Sequence, residues 1–133
     1  MKIIPGFATL LLFAAPSIAK APGLSAQPGE SWMFRIAKGQ PVAARRVQPT
    51  AVPGPGEIRL TVKRMMGTTL TLLNNSAVAY TYRATLVGAG GKTIVARSCV
   101  LPAHNRLAME SWPEIAVTVR VDTFKPTRDT NCR

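Results

Sequence analysis

Glu57-Ile58-Arg59-Leu60-Thr61-Val62-Lys63-Arg64 sets apolar Ile58, Leu60 and Val62 at every second position, with Arg59, Thr61 and Lys63 between them. Successive side chains of an extended chain point to opposite faces, so this segment predicts a strand buried on one face and basic on the other. Residues 115–122 repeat the pattern, with Ile115, Val117, Val119 and Val121 expected inward and Ala116, Thr118, Arg120 and Asp122 outward. Between these two segments, Thr68-Thr69-Leu70-Thr71-Leu72-Leu73 predicts a threonine-rich strand ended by Asn74-Asn75-Ser76. Residues 79–87 would bury Tyr80, Tyr82, Ala84 and Leu86 against outward Thr81, Arg83 and Thr85. Residues 93–100 return as their partner across Gly88-Ala89-Gly90-Gly91, and residues 106–110 form a short strand before a corner at Trp112-Pro113.

Upstream, Ser31-Trp32-Met33-Phe34-Arg35-Ile36-Ala37 predicts a first strand with Trp32, Phe34 and Ile36 inward and Met33 and Arg35 outward. Residues 38–56 hold four prolines and three glycines besides the pair Arg45-Arg46, which excludes a long helix and leaves a loop with at most a short edge strand near 42–47. Turn signals recur every eight to twelve residues, and no segment sustains an apolar period of 3.6. The expectation is an all-β, immunoglobulin-like antiparallel sandwich of about seven strands, with a small β-barrel as the alternative. Its core would be Ile58, Leu60, Val62, Leu70, Leu72, Tyr80, Tyr82, Leu86, Val117, Val119 and Val121.

The chain start has a different character. Lys2, the apolar run 7–15, Pro16 and the small-residue box Ser17-Ile18-Ala19 have the three parts of a cleaved export signal. The apolar run is about half of the roughly 20 residues that spanning a bilayer requires, so no transmembrane anchor is expected. The predicted organisation is a signal peptide at 1–19, with Ala19-Lys20-Ala21 as an alternative box, a flexible tether at 20–30, and one sandwich domain at 31–133. A periplasmic or secreted address follows.

Cys99 and Cys132 make an even pair for an oxidising compartment, and a disulfide between them would pin the C-terminal tail to a core strand. They lack Cys-x-x-Cys spacing, and His104 is the single histidine, so no metal site is expected. Seventeen Lys and Arg against six Asp and Glu leave a formal charge of +11, or about +10 once Lys2 is removed with the signal. Such an excess draws a small domain toward anions. For an exported chain these are acidic glycans, anionic headgroups or an acidic protein, and not nucleic acid. Arg59, Lys63, Arg83, Arg97 and Arg120 are the candidate binding face if strand pairing brings them together.

Chemistry has few footholds. There is no Gly-x-Ser-x-Gly nucleophile motif, phosphate loop or dinucleotide fingerprint, and no cofactor is implied. Glu110 and Glu114 flank Trp112 and are the candidate acid and base of a small glycan-acting enzyme. Asn74-Asn75-Ser76 matches a glycosylation triplet that a turn explains equally well. The favoured expectation is a non-catalytic exported binding module that contacts another envelope protein or an anionic envelope component. Its contacts would come from the basic face, from strand addition at an edge such as residues 32–37, or from end loops and corners carrying His104 and Trp112. A protease inhibitor presenting residues 102–105 or 74–78, or a chaperone-like protein, are the further alternatives.

Overall fold

The computed structural model describes residues 22–130 and 132. The expected export signal at 1–19 and the expected cut sites after Ala19 and Ala21 lie outside these residues. The described chain forms two packed antiparallel sheets. The strands are β1 (Leu24–Ala26), β2 (Ser31–Ala37), β3 (Gln40–Val47), β4 (Glu57–Arg64), β5 (Thr68–Asn75), β6 (Tyr80–Val87), β7 (Thr93–Ala96), β8 (Arg106–Trp112) and β9 (Thr118–Pro126). One sheet has the order β1-β9-β6-β7 and the other β3-β2-β4-β5-β8, and they share no strand, so the sheets do not close into a barrel among the described residues.

Alternation works where it is strict. Ile58, Leu60 and Val62 of β4 and Leu70 and Leu72 of β5 face the four-stranded sheet in one apolar layer with Tyr82, Ala84, Leu86, Val119 and Val121. Tyr80 packs against this layer half-buried. Thr85, expected outward, is buried between Arg120 of β9 and Val95 of β7 in the sheet register.

Departures from the sequence expectation have local causes. Val121 and Phe124 are both core, although strict alternation from Val121 would place Thr123 inside. The β6–β9 register slips between Thr81 and Arg83, and Thr123 takes a left-handed φ of 54°. The extra residue in β9 re-aims Phe124 inward, as a bulge does. Its ring then meets Phe34 of the opposite sheet at 5.8 Å and Tyr82 and Tyr80 of its own sheet at 5.6 and 6.0 Å between centroids. At the other end β9 starts only at Thr118, so Ile115 and Val117 are exposed and Ala116 is buried, the reverse of the expected pattern.

Residues 32–37 are not an edge. The two-residue turn Lys38-Gly39, left-handed at both positions (φ 50° and 76°), folds β3 back on β2, and β4 takes the other side. β3 is thus longer than the short strand expected near 42–47, with a bulge at left-handed Ala43. Met33 is buried but lies outside the core, on the outer face between Arg45 and Arg59. The expected tether is also corrected: Leu24–Ala26 pairs with β9 and buries Leu24 and Ala26, in a strand too short to show a period.

Phe124→Ala should lower stability by about 3–5 kcal/mol, the usual cost of emptying an aromatic core site. Val117→Ala should change it by less than about 0.5 kcal/mol, because that side chain is exposed. Denaturant unfolding of the two variants checks both.

Candidate functional site

The candidate basic residues do not form one patch. Arg59 and Lys63 stand on the outer face of the five-stranded sheet, whereas Arg83 and Arg120 stand on the outer face of the four-stranded sheet, across the sandwich. Arg97 lies in the exposed link after β7. The pairing of β4 with β2 and β5, and of β6 with β7 and β9, separates them.

Arg83 and Arg120 serve a buried carboxylate. Arg83 donates to Asp122 Oδ1 at 2.7 Å, and Arg120 lies 3.5 Å from Oδ2. The Thr123 hydroxyl adds a further bond at 2.7 Å. β1 closes over this pair so tightly that a Cβ on Gly23 would come within 2.7 Å of the Val121 carbonyl oxygen. Removing the arginines would leave the buried Asp122 carboxylate unpaired and away from water, so these arginines hold β9 rather than wait for a ligand.

On the five-stranded face Arg59 donates to the Ala51 carbonyl at 2.7 Å and Arg35 to Pro55 at 3.0 Å, drawing the 48–56 loop across the sheet. Arg45 forks onto Glu57 at 2.6 and 3.4 Å. Arg46 bonds Glu30 at 2.6 Å and lies 5.7 Å above the Trp32 ring. The hydrogen bond from Arg45 holds the Glu57 carboxyl below the usual carboxylate range, against burial and with help from the Gly54 amide and the Arg45 and Arg35 charges. Glu30 is lowered too, first by the Gln27 amide, then by the Trp32 indole and Arg46.

A carboxyl whose pKa is lower in the folded than in the unfolded chain stabilises fully above the unfolded value, and that contribution is lost as pH falls through the folded value. The melting temperature should therefore decline on acidification below about pH 4.3. Glu57→Gln should start lower at pH 7 and decline less; acid profiles of equal depth in the two proteins would contradict the role given to Glu57.

The carboxylate pair of the enzyme expectation has separate tasks. Glu110 accepts the Cys99 amide at 2.6 Å, while Glu114 is exposed in the loop after β8, with its carbonyl taken by Thr68 Oγ1 at 2.7 Å. The Trp112 indole donates to the Arg97 carbonyl at 3.0 Å and the ring is half-buried against the core, which makes it a corner rather than an open platform. Burial, with the Glu110 charge adding, pushes the Tyr82 hydroxyl well above the usual tyrosine value. His104 is exposed in a turn whose residues 104 and 105 both have positive φ. Its amide donates to Ser76 at 2.8 Å and that of Asn105 to Asn74 at 2.7 Å, which ties together the two loops named as inhibitor candidates.

Asn74 itself is buried. Its Nδ2 donates to Val78 and Pro102 at 2.8 and 3.1 Å, so the atom a glycan would need is engaged inside the fold. Beside these loops the C-terminal tail walls a cavity of about 380 Å³, lined by Ala79, Val100, Pro102, Arg106, Arg128 and Asp129 among others. The Cys99–Cys132 disulfide joins the tail to the link before β8. No group of three or more His, Cys, Asp or Glu among the described residues is placed to hold a metal. No helix among them is long and apolar enough to cross a membrane.

The opposite end carries what sequence reasoning missed. The β4–β5 hairpin turns through Met65-Met66-Gly67 against residues 113–117, and Val117 bonds back to Val87 beside the 88–92 turn. Thr68 joins the first two elements, donating to the Glu114 carbonyl and accepting the Ala116 amide at 2.9 Å, while Arg64 donates to the Ala116 carbonyl at 3.2 Å. Gly67 has φ +124°, and a Cβ there would overlap the Trp112 carbonyl oxygen. Lys63-Arg64-Met65-Met66-Gly67 was a visible signal: paired methionines where a hairpin tip ordinarily takes polar residues. Gly67→Ala should cost more than about 2 kcal/mol, since it combines a strained φ with a backbone clash; an unchanged unfolding midpoint would contradict this packing.

Comparison of the chain with protein-family models, curated proteins and solved structures finds no match.

Proposed function

We propose that this chain is an exported, non-catalytic binding module that contacts an anionic envelope component through exposed cations on a rigid sandwich. The observation that carries this reading is how the charges are used. Glu30, Glu57 and Asp122 are each held by arginine, and Glu110 by a backbone amide. Lys38, Lys63, Lys92, Arg97 and Lys125 are exposed, with no carboxylate in ion-pair range among the described residues. Arg35, Arg59, Arg64 and Arg106 bond carbonyl oxygens and keep their charge. The domain thus has four of its acids internally engaged, Glu114 left exposed, and a surplus of exposed cations to act on a partner.

The disulfide suits the oxidising compartment that the 1–19 segment implies. The chain resembles the immunoglobulin arrangement in having hairpins within each sheet and crossovers between sheets. We favour binding over glycan hydrolysis because Glu110 is committed to the Cys99 amide.

A second mode, strand addition, is favoured at β8. β8 is an edge with an unbroken register to β5, it has no lysine, proline or glycine, and it exposes Leu107 and Met109 on its outer face. Apart from the charges of Arg106 and Glu110, such an edge lacks the usual defences against pairing. Basic β3, with Arg45, Arg46, Pro41 and a bulge, has them.

The test is retention of the processed chain on envelope fractions. Lys38→Gln, Lys63→Gln, Arg97→Gln and Lys125→Gln together should weaken low-salt retention by roughly tenfold or more. Salt should weaken the unaltered protein likewise. Retention that is insensitive to both would overturn the proposal.

A further inference from the structure

We propose that the end of the sandwich built from the β4–β5 hairpin, the 88–92 turn and the 113–117 loop docks on the surface of an anionic lipid bilayer. This rests on the anionic-component reading above and names its partner.

Four large apolar side chains project at this end: Met65, Met66, Ile115 and Val117 are 62, 102, 65 and 47% exposed. Single exposed apolar residues are ordinary on any protein, but several gathered on adjoining loop tips mark a contact surface. They are held together by the Thr68 and Arg64 bonds to residues 114 and 116 and by the Val117–Val87 backbone bond. The arrangement is therefore preorganised, and little ordering is required on contact.

Charge points to the sign of the surface. Lys63 and Arg64 flank the methionines and Lys92 lies in the neighbouring turn, all exposed. The acids at this end are Glu114, which is exposed, and Glu30 in the adjacent 27–30 turn, which is tied to Arg46 and the Gln27 amide. The cations outnumber the one carboxylate left open.

Shape points to a bilayer. The apolar residues stand out from loop ends, while the cavities beside the C-terminal tail lie at the other end of the strands. Projecting apolar tips ringed by cations match the boundary between headgroups and acyl chains, where apolar groups enter and basic groups stay at phosphate level. Coulombic attraction alone would serve a soluble polyanion equally well; the methionines, Ile115 and Val117 add an affinity that only an apolar layer can satisfy.

Co-sedimentation of the processed chain with phosphatidylglycerol–phosphatidylcholine vesicles tests this, with pure phosphatidylcholine vesicles and soluble dextran sulfate as controls. The expected result is binding to the anionic and not to the pure phosphatidylcholine vesicles, reduced by roughly tenfold or more in Met65→Ser/Met66→Ser and in Lys63→Gln/Lys92→Gln, with dextran sulfate bound through charge alone. The methionine variant should keep its dextran sulfate binding and its melting temperature, since both side chains are exposed. Vesicle binding that the methionine variant retains in full would overturn the docking geometry. Absence of vesicle binding alongside salt-sensitive retention on envelope fractions would overturn the lipid partner and leave the anionic-component reading standing. Absence of both would remove the two together.

Discussion

The contact of the two sheets through the Phe124 ring is the interaction on which the rest of this structure depends. Phe124 meets Phe34 from the five-stranded sheet and Tyr82 from its own, at the centre of an aromatic cluster that continues into the aliphatic layer of Ile58, Leu60, Val62, Leu70 and Leu72. An aromatic ring buries a large apolar area in a single site, which is why its loss is costly. The ring reaches that place only because β9 carries an extra residue at Thr123. Immediately before the irregularity Asp122 points outward by ordinary alternation yet is buried, and Arg83 and Arg120 answer it. Aromatic packing on one face of β9 and charge pairing on the other thus meet at neighbouring residues, Phe124 and Asp122.

The frame then divides the charges by location. Asp122 consumes two cations of the four-stranded face, and Glu57 and Glu30 consume Arg45 and Arg46 at the β3 edge. What remains open is a scatter of lysines and arginines over both faces and a cationic end with an apolar tip. The two ends differ in kind. At one, backbone bonds and buried Asn74 lock the 74–78 and 102–105 loops beneath a disulfide-linked tail. At the other, hydrogen bonds lock the loops in a form that keeps their apolar side chains outside.

Much of the fold was legible in the amino-acid sequence because alternation is a local property. Ile58, Leu60 and Val62 announce both the strand and its inner face, and Cys99 with Cys132 announce their bond by number alone. Val117 and Phe124 could not be assigned in the same way, since a late strand start and a bulge each shift the period by one. Leu24–Ala26 is too short to have a period, and its strand exists because β9 offers an edge. Met33 is buried on the outer face between Arg45 and Arg59 of the neighbouring strands, which no local pattern encodes.

The candidate site was less legible for a related reason. That Arg59, Lys63, Arg83 and Arg120 point outward follows from the residues beside them. Whether they share a face depends on which strands pair, and β4 and β6 lie in different sheets. The end surface has half of its signal in Lys63-Arg64-Met65-Met66; the other half, Ile115 and Val117, carried a pattern indistinguishable from a core strand.

The most direct measurement is the set of nuclear Overhauser contacts from the Phe124 ring in the folded protein. Cross-peaks to both Phe34 and Tyr82 are the predicted result, since they require the bulge and the face-to-face packing of the sheets at once. A Phe124 ring with cross-peaks to neither, or a Thr123 side chain in its place against Phe34, would contradict the account.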